Sequence, residues 1–305
     1  MNDLRSAAVP VGPDGLTLSR TIPGLMRLFD WKLDAAGLNA WIHACLEMGC
    51  TTFDHADIYG GYAIEEAFGA ALARTPGLRD RLQLVTKCGI GLVTPNRPAT
   101  RVHHYDTSAA HIVASADRSL RHFGTDRLDL LLIHRPDPLM EADEVAAALT
   151  ELRRAGKILH AGVSNFLPWQ FDLLQERLGF ALVTNQVELS VAHLVPLHDG
   201  TLDQAQRLRR PPMIWGPLGG GRLFTGTDER ATRLRAKLAE IGARHDAAPD
   251  QVALAWILAH PARPLPVLGT GQLERIRAAV AAESLRLDRQ EWFELWEASA
   301  GHEVP

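Results

Sequence analysis

Short apolar runs alternate with longer segments of helical periodicity along almost the whole chain. Eight of the runs read as strands: Arg20–Met26, Cys50–Asp54, Leu82–Cys88, Leu128–His134, Ile158–Ser164, Leu182–Gln186, Pro212–Trp215 and Leu265–Leu268. Helix-like segments fall near residues 34–49, 61–74, 107–123, 141–155, 168–178, 201–209 and 230–258. The run Leu128-Asp129-Leu130-Leu131-Leu132-Ile133 is nearly continuous in apolar character. That is how a strand covered on both faces reads, and such strands sit in parallel sheets. The alternation, with no long linker and no internal repeat, predicts an α/β fold, most economically a (β/α)8 TIM barrel in one domain over residues 1–305. The stretch Leu4–Leu18 carries Gly-Pro-Asp-Gly at 12–15 and predicts a small hairpin before the barrel. From Asp288 to Ser299 the pattern predicts an extra C-terminal helix that packs through Trp292, Phe293, Leu295 and Trp296.

Composition changes this picture little. The 305 residues are 46% apolar and 22% charged, as in an ordinary globular protein. A net charge of −4 gives no whole-molecule reason to expect nucleic acid or an anionic membrane as partner. The first twenty residues lack the basic start and apolar core of a signal peptide, and no apolar run approaches the roughly 20 residues needed to cross a bilayer. Three cysteines, Cys45, Cys50 and Cys88, form no complete disulfide set and have no metal-type spacing. A reducing cytoplasm is the expected setting.

In a barrel, reactive residues lie at the C-terminal ends of the strands. Asp54, Tyr59, Lys87, His134, Ser164, Asn165, Gln186 and Trp215 all fall at or just after such ends. An acid, a phenol, an ammonium and an imidazole at strand ends make a proton-transfer set, in which Tyr59 is the natural proton donor. A free phenol has a pKa of about 10, so it gives its proton up reluctantly near neutrality. A neighbouring Lys87 ammonium is expected to lower that pKa, with Asp54 pairing with Lys87 to keep it charged. His134 is expected to donate a hydrogen bond to a reacting oxygen and stabilise developing negative charge. Taken singly, each residue has a plainer reading. Asp54 and Lys87 can be a structural pair, Tyr59 and Trp215 packing residues, and His134 a satisfied core histidine. Ser164 and Asn165 can cap a helix opening at Leu167 or Pro168.

Order and spacing together resemble the aldo-keto reductase family. The match runs through Phe53-Asp54-His55-Ala56-Asp57-Ile58-Tyr59-Gly60, then Val85-Thr86-Lys87, then Asp126-Arg127-Leu128-Asp129-Leu130 on to Ile133-His134. It continues through Gly156-Lys157-Ile158, Gly162-Val163-Ser164-Asn165-Phe166, Asn185-Gln186 and Trp215-Gly216-Pro217-Leu218-Gly219, so that roughly residues 20–285 are covered. Asp54-His55-Ala56-Asp57-Ile58-Tyr59-Gly60-Gly61-Tyr62 and His134-Arg135-Pro136-Asp137-Pro138-Leu139-Met140 also look like the bacterial YdhF-like oxidoreductase branch. The resemblance implies that Asp54, Tyr59, Lys87 and His134 are the catalytic set. No side chain supplies a hydride, and no Gly-x-Gly-x-x-Gly follows the first strand, so a Rossmann site is not supported; the resemblance implies a nicotinamide cofactor bound directly on the barrel mouth.

Ser164, Asn165 and Gln186 then suit the nicotinamide carboxamide, and Trp215 offers a face for its ring. Gly216, Pro217 and Leu218 lead into Gly219-Gly220-Gly221-Arg222, where small residues let backbone N–H groups approach a pyrophosphate and Arg222 adds charge. Gly269-Thr270-Gly271 follows the eighth strand, where barrels often hold phosphate, and Thr270 can cap a helix or bind that phosphate. In the family the position of Arg275 commonly contacts the 2′-phosphate of NADPH. Many relatives carry a basic residue where this chain has Gly269, and Ala278 and Ala279 replace residues that often touch adenine.

The expected activity is NADPH/NADP+-dependent reduction of a small-molecule aldehyde or ketone. Met26, Arg27, Asp30 and Trp31 follow the first strand and are expected to border the pocket, with Met26 and Trp31 as its candidate walls. The segment from Gly91 to Asp106, with His103 and His104, is a candidate entrance loop. His55 and Asp57 near His134 make no set of three metal ligands, and Cys88 reads as a buried strand thiol. The alternative from another class is a regulatory or redox-sensing barrel that binds NADPH with little turnover. A metal-dependent hydrolase is a third reading, which lacks a ligand motif.

Overall fold

The computed structural model describes residues 4–304. Eight parallel strands form the barrel: β1 (Ile22–Pro23), β2 (Thr52–Asp54), β3 (Gln83–Cys88), β4 (Leu128–Ile133), β5 (Ile158–Ser164), β6 (Leu182–Glu188), β7 (Met213–Trp215) and β8 (Leu265–Leu268). They pair in the order β1-β8-β7-β6-β5-β4-β3-β2. A single parallel bridge between Gly24 and Asp54 closes the ring. All eight expected strands are present. The first is two residues long where seven were expected, because Pro23 has no N–H for the ladder. The seam is completed by two single bonds, Gly24 N–H to the Leu268 carbonyl at 2.8 Å and Leu25 N–H to the Asp54 carbonyl at 2.9 Å. A Cβ at Gly24 would sit 2.8 Å from Val267 Cγ1, so closure this tight needs glycine.

Around the barrel run α1 (Ala35–Glu47), α2 (Ile64–Leu72), α3 (Ala109–Phe123), α4 (Ala142–Arg154), α5 (Pro168–Gln175), α6 (Thr201–Leu208), α7 (Arg222–Thr225), α8 (Glu229–His245), α9 (Pro249–Leu258), α10 (Leu273–Ala282) and α11 (Arg289–Ala300). The pattern over 230–258 reads as one helix but folds as two. The first ends at Asp246, which takes the left-handed conformation (φ 50°), and Pro249 opens the second at a position where its missing N–H costs nothing. Helix α10 lies outside the segments whose periodicity reads as helical, although Thr270 as a helix cap implies a helix there. Its buried face is carried by Ile276, Ala279 and Val280, with alanines prominent, so its apolar signal is weak.

One end of the barrel is sealed. The expected N-terminal hairpin forms from Ala8–Pro10 and Thr17–Ser19. It packs Val9, Val11, Leu16 and Leu18 against the interior residues Val85, Leu130, Leu132, Val183 and Met213. Chemistry is thereby confined to the other end. Helix α11 lies on α8 and α9 along the flank, where Trp292 and Trp256 stack at 4.9 Å and each indole N–H donates to the other's backbone carbonyl. The segment after β3 is a hairpin in part, with Ile90–Gly91 paired to His104–Tyr105. Among the described residues no helix is long and apolar enough to cross a membrane.

Helices α2 and α3 meet through backbone. A Cβ at Gly69 would overlap the His122 carbonyl oxygen and come within 2.9 Å of Phe123 Cα. Alanine is the better helix former by about 1 kcal/mol, but neither α3 backbone group can swing aside. Gly69→Ala is therefore expected to lower unfolding free energy by roughly 1–3 kcal/mol in a denaturant titration. An unchanged or higher value would mean that the two helices part at no cost.

Candidate active site

Four side chains from four places in the sequence meet at the open end of the barrel. Asp54 ends β2, and Lys87 lies on the neighbouring strand β3. Lys87 is 1% exposed, and its ammonium donates to Asp54 Oδ1 and Oδ2 at 2.8 Å each, to the His55 carbonyl at 2.6 Å and to Tyr59 Oη at 3.3 Å. Gln186, reaching in from β6, donates from Nε2 to Asp54 Oδ1 at 2.8 Å. His134 follows β4, with its ring edge-on to Tyr59 at 6.2 Å between centroids.

Burial works against the charge on Lys87, but Asp54 and Tyr59 outweigh it and hold the ammonium above its ordinary pKa. Burial raises the Tyr59 pKa. Lys87 pulls it down, as expected from sequence, yet the net direction is upward, which corrects the expected lowering. The phenol is a protonated group held against a cation. Burial, then the positive charges of Lys87 and Arg135, push His134 well below its ordinary pKa, so the ring is neutral with one N–H to give. Its Nδ1 is buried without a partner.

Ser164 Oγ donates to the Gln186 carbonyl at 2.9 Å. Asn165, in the left-handed conformation (φ 61°), donates from Nδ2 to Ser164 Oγ at 2.8 Å and accepts from Trp215 Nε1 at 2.8 Å. Neither residue caps the following helix, whose cap position is Leu167. A cavity of about 460 Å³ contains Met26, Tyr59, His134, Ser164, Asn165 and Trp215 in its walls, and Gln186, Gly216, Pro217 and Gly220 also border it. A second lobe of about 470 Å³ is bordered by Thr270, Arg275, Leu254 and Ala279. The lobes share Arg27, Leu218, Gly221 and Gly269 as walls.

This donor set fits a dinucleotide. One lobe has a flat indole and amide groups. The junction has a glycine turn with φ of 64° at Gly220 and 93° at Gly221, with open space beside Gly221, and the far lobe has a guanidinium.

Several expected residues lie elsewhere than on the walls of the two lobes. Arg222 borders neither lobe; it opens α7 and faces a separate pocket with Glu188, His193 and Asp228. The cation at the junction is Arg27, whose Nη2 donates to the Gly220 carbonyl at 3.2 Å. Gly271 is a packing glycine: a Cβ there would sit 2.5 Å from the Trp31 ring, and its carbonyl accepts from Trp41 Nε1 at 2.9 Å. Trp31 packs on Trp41 at 4.9 Å and is no wall of either lobe. Thr270 does not cap a helix, since α10 is capped at Gln272, and its Oγ1 accepts from the Gln272 N–H at 3.2 Å. Arg135, Glu188, Ile58 and Ile90 border the catalytic lobe without having been singled out. For Arg135 the available signal was its place directly after the strand-end histidine.

Behind the site lies a second buried layer. Arg118 on α3 donates to Asp57 Oδ2 at 3.0 Å, while Glu65 on α2 accepts from Thr86 Oγ1 at 2.5 Å and Ser119 Oγ at 2.9 Å. Burial pushes Asp57 up to about 6 and Glu65 up to about 7. The His55 ring packs between Phe68 and Phe123 with both nitrogens unpartnered. Among the described residues no group of three or more His, Cys, Asp or Glu is arranged to hold a metal ion. Burial drives the Cys88 thiol well above its ordinary pKa, so it is an unreactive group.

The Aldo/keto reductase family model matches residues 22–300. Oxidoreductase YdhF of Escherichia coli K12 is 51% identical, over 97% of this chain and 99% of its own. A 6-dehydroglucose reductase of Agrobacterium fabrum is 48% identical, over 95% of this chain and 97% of its own. Among solved structures, the thermostable aldo-keto reductase Tm1743, in complex with the inhibitor epalrestat, aligns at a TM-score of 0.80 and 26% identity, over 96% of this chain and 99% of that one.

Glu65 makes stability depend on pH in a definite direction. Its folded pKa of about 7 lies above that of a free glutamate, so the folded protein binds the proton more tightly than the unfolded chain. Stability from this group is full below the free-glutamate range and is lost as pH rises through about 7. Wild type is expected to lose up to roughly 3 kcal/mol from it between about pH 5 and about pH 8, and Glu65→Gln to lose less over the same interval. Denaturant titrations of both proteins at the two pH values measure this, and parallel declines would refute it.

Proposed function

The chain belongs to the aldo/keto reductase family, and from that premise we propose that it is an NADPH-dependent reductase of aldehydes or ketones with Tyr59 as proton donor. The observation that carries this reading is the single ammonium of Lys87 shared by Asp54, at 2.8 Å, and Tyr59, at 3.3 Å. NADPH, when bound, supplies the hydride. As negative charge develops on the carbonyl oxygen, Tyr59 Oη gives that oxygen its proton, and the Lys87 N–H aimed at Oη stabilises the phenolate left behind. Asp54 keeps Lys87 charged, and Gln186 holds Asp54. His134 in its Nε2–H form, neutral in this setting, gives one hydrogen bond to the carbonyl oxygen and orients it.

On this reading Ser164, Asn165 and Trp215 receive the nicotinamide, and the backbone of Gly219–Gly221 with Arg27 receives the pyrophosphate. Arg275 and Thr270, in the far lobe, receive the 2′-phosphate, which is why NADPH is preferred. The whole chain acts as one barrel domain, and its buried, unpaired cysteines suit a cytoplasmic setting. The relatives called 6-dehydroglucose reductase, at 48% and 36% identity, make a sugar aldehyde the first substrate class to try.

Consumption of NADPH followed by absorbance, over a panel of aromatic, aliphatic and sugar aldehydes, tests the activity. In Tyr59→Phe, kcat is expected to fall by about 100-fold or more, with the Kd for NADPH little changed. Turnover in that variant within tenfold of wild type would remove Tyr59 from the proton-donor role. Arg275→Ala is expected to raise the Kd for NADPH about tenfold or more while leaving NADH nearly unaffected; equal losses for the two cofactors would deny Arg275 the phosphate.

A further inference from the structure

We infer that Arg135 is the specificity-determining residue of this site, and that its guanidinium grips acceptor oxygens, carboxylate or hydroxyl, carried by the substrate near its carbonyl. The inference rests on the reductase reading above and adds the chemical class of substrate. Arg135 directly follows His134, and both border the lobe that holds Tyr59. Its guanidinium makes no hydrogen bond or ion pair with another described residue; its one recorded contact is with the Trp215 ring, 5.7 Å from the centroid.

The acids nearby are otherwise engaged or distant. Asp137 accepts from the Thr107 hydroxyl and from the Leu139 N–H, and Glu188, whose carboxylate lies 3.9 Å from His193 Nδ1, makes no ion pair with Arg135. Arg27, the other arginine of this lobe, is bound to the Gly220 carbonyl at the junction with the far lobe. The lobe also contains Met26, Ile58 and Ile90, which offer a polar substrate nothing to bond.

A partly buried guanidinium in such a place is poorly hydrated, and a ligand oxygen relieves it. Arginine also presents two parallel N–H groups, which match a carboxylate or a pair of vicinal hydroxyls. The same charge is felt at the reacting centre, because Arg135 acts electrostatically on both Tyr59 and His134. Truncation therefore changes kcat for every substrate to some degree. The specificity role is read in KM, where only oxygen-bearing substrates respond.

The test compares D-glyceraldehyde, succinic semialdehyde and butanal as substrates of wild type, Arg135→Met and Arg135→Lys, with NADPH affinity measured by protein fluorescence. Arg135→Met is expected to raise KM for D-glyceraldehyde or succinic semialdehyde, or both, at least tenfold, and for butanal less than threefold. The larger of the two losses tells whether hydroxyl or carboxylate is the natural partner. Arg135→Lys is expected to restore less than half of the loss, since it keeps the charge without the fork. Equal changes in all three KM values, a tenfold loss of NADPH affinity, or a wild type that reduces butanal but neither polar aldehyde would overturn the inference. A wild type that reduces no carbonyl at all defeats the reductase reading itself, and that result is visible before any variant is made.

Discussion

Lys87 places an ammonium group, 1% exposed, inside the barrel, and the rest of the site follows from how that charge is satisfied. An unpaired buried ammonium would be neutralised or would unfold its surroundings. Here every N–H has a use, with two on Asp54 and the His55 carbonyl and one left for Tyr59 Oη. Asp54 comes from β2, Lys87 from β3 and the Gln186 amide that steadies Asp54 from β6. Asp54 and Lys87 meet on neighbouring strands, but Gln186 reaches Asp54 only when the sheet has curled far enough to bring β6 across to β2. Barrel closure thus completes the hydrogen-bonding of the pair.

The second layer shows what holding Tyr59 requires. Tyr59 stands on the turn between β2 and α2, and that turn is tied to β3 by the His55 N–H on the Val85 carbonyl at 2.8 Å and the Asp57 N–H on the Lys87 carbonyl at 3.0 Å. Asp57 is anchored in turn by Arg118 on α3. Two carboxylates, Asp57 and Glu65, thus lie buried near one arginine, and burial raises the pKa of both. That is a poor arrangement for stability alone. It persists where it fixes the phenol relative to Lys87, and its cost is borne by the apolar packing of Phe53, Phe68 and Phe123 around it.

Much of this was legible from residue order because buried parallel strands are short apolar runs that end when the chain reaches the mouth. A polar residue at such an end, as with Asp54, His134 or Asn165, faces the opening almost by construction. What the sequence did not disclose depends on side-chain direction. Arg222 follows three glycines, and the positive φ of Gly220 and Gly221 turns the chain so that its guanidinium leaves the cleft, while Arg27 after β1 takes the junction. Gly271 looks like part of a phosphate turn, yet its missing side chain makes room for Trp31. The net direction of the Tyr59 pKa is hidden from the sequence for a related reason: the partner charge is visible there, but the depth of burial opposing it is not.

The division of labour between the two ends of the barrel follows from the hairpin. With Val9, Val11, Leu16 and Leu18 filling the N-terminal end, that end is a packed core, and a ligand can enter only at the other. There the wall common to both lobes is built from Leu218, Gly221, Gly269 and Arg27. Three of the four carry no charge, and Gly269 leaves open space where a side chain would stand. The cations on these walls are few and spaced apart, Arg27 at the junction and Arg275 beyond it, so that on the proposed reading a phosphate-bearing ligand would rely on backbone N–H groups between them. Such a grip depends more on the shape of the glycine turn than on charge density. On the catalytic side Arg135 borders the same lobe as Arg27 but, unlike it, makes no hydrogen bond to a neighbouring described residue.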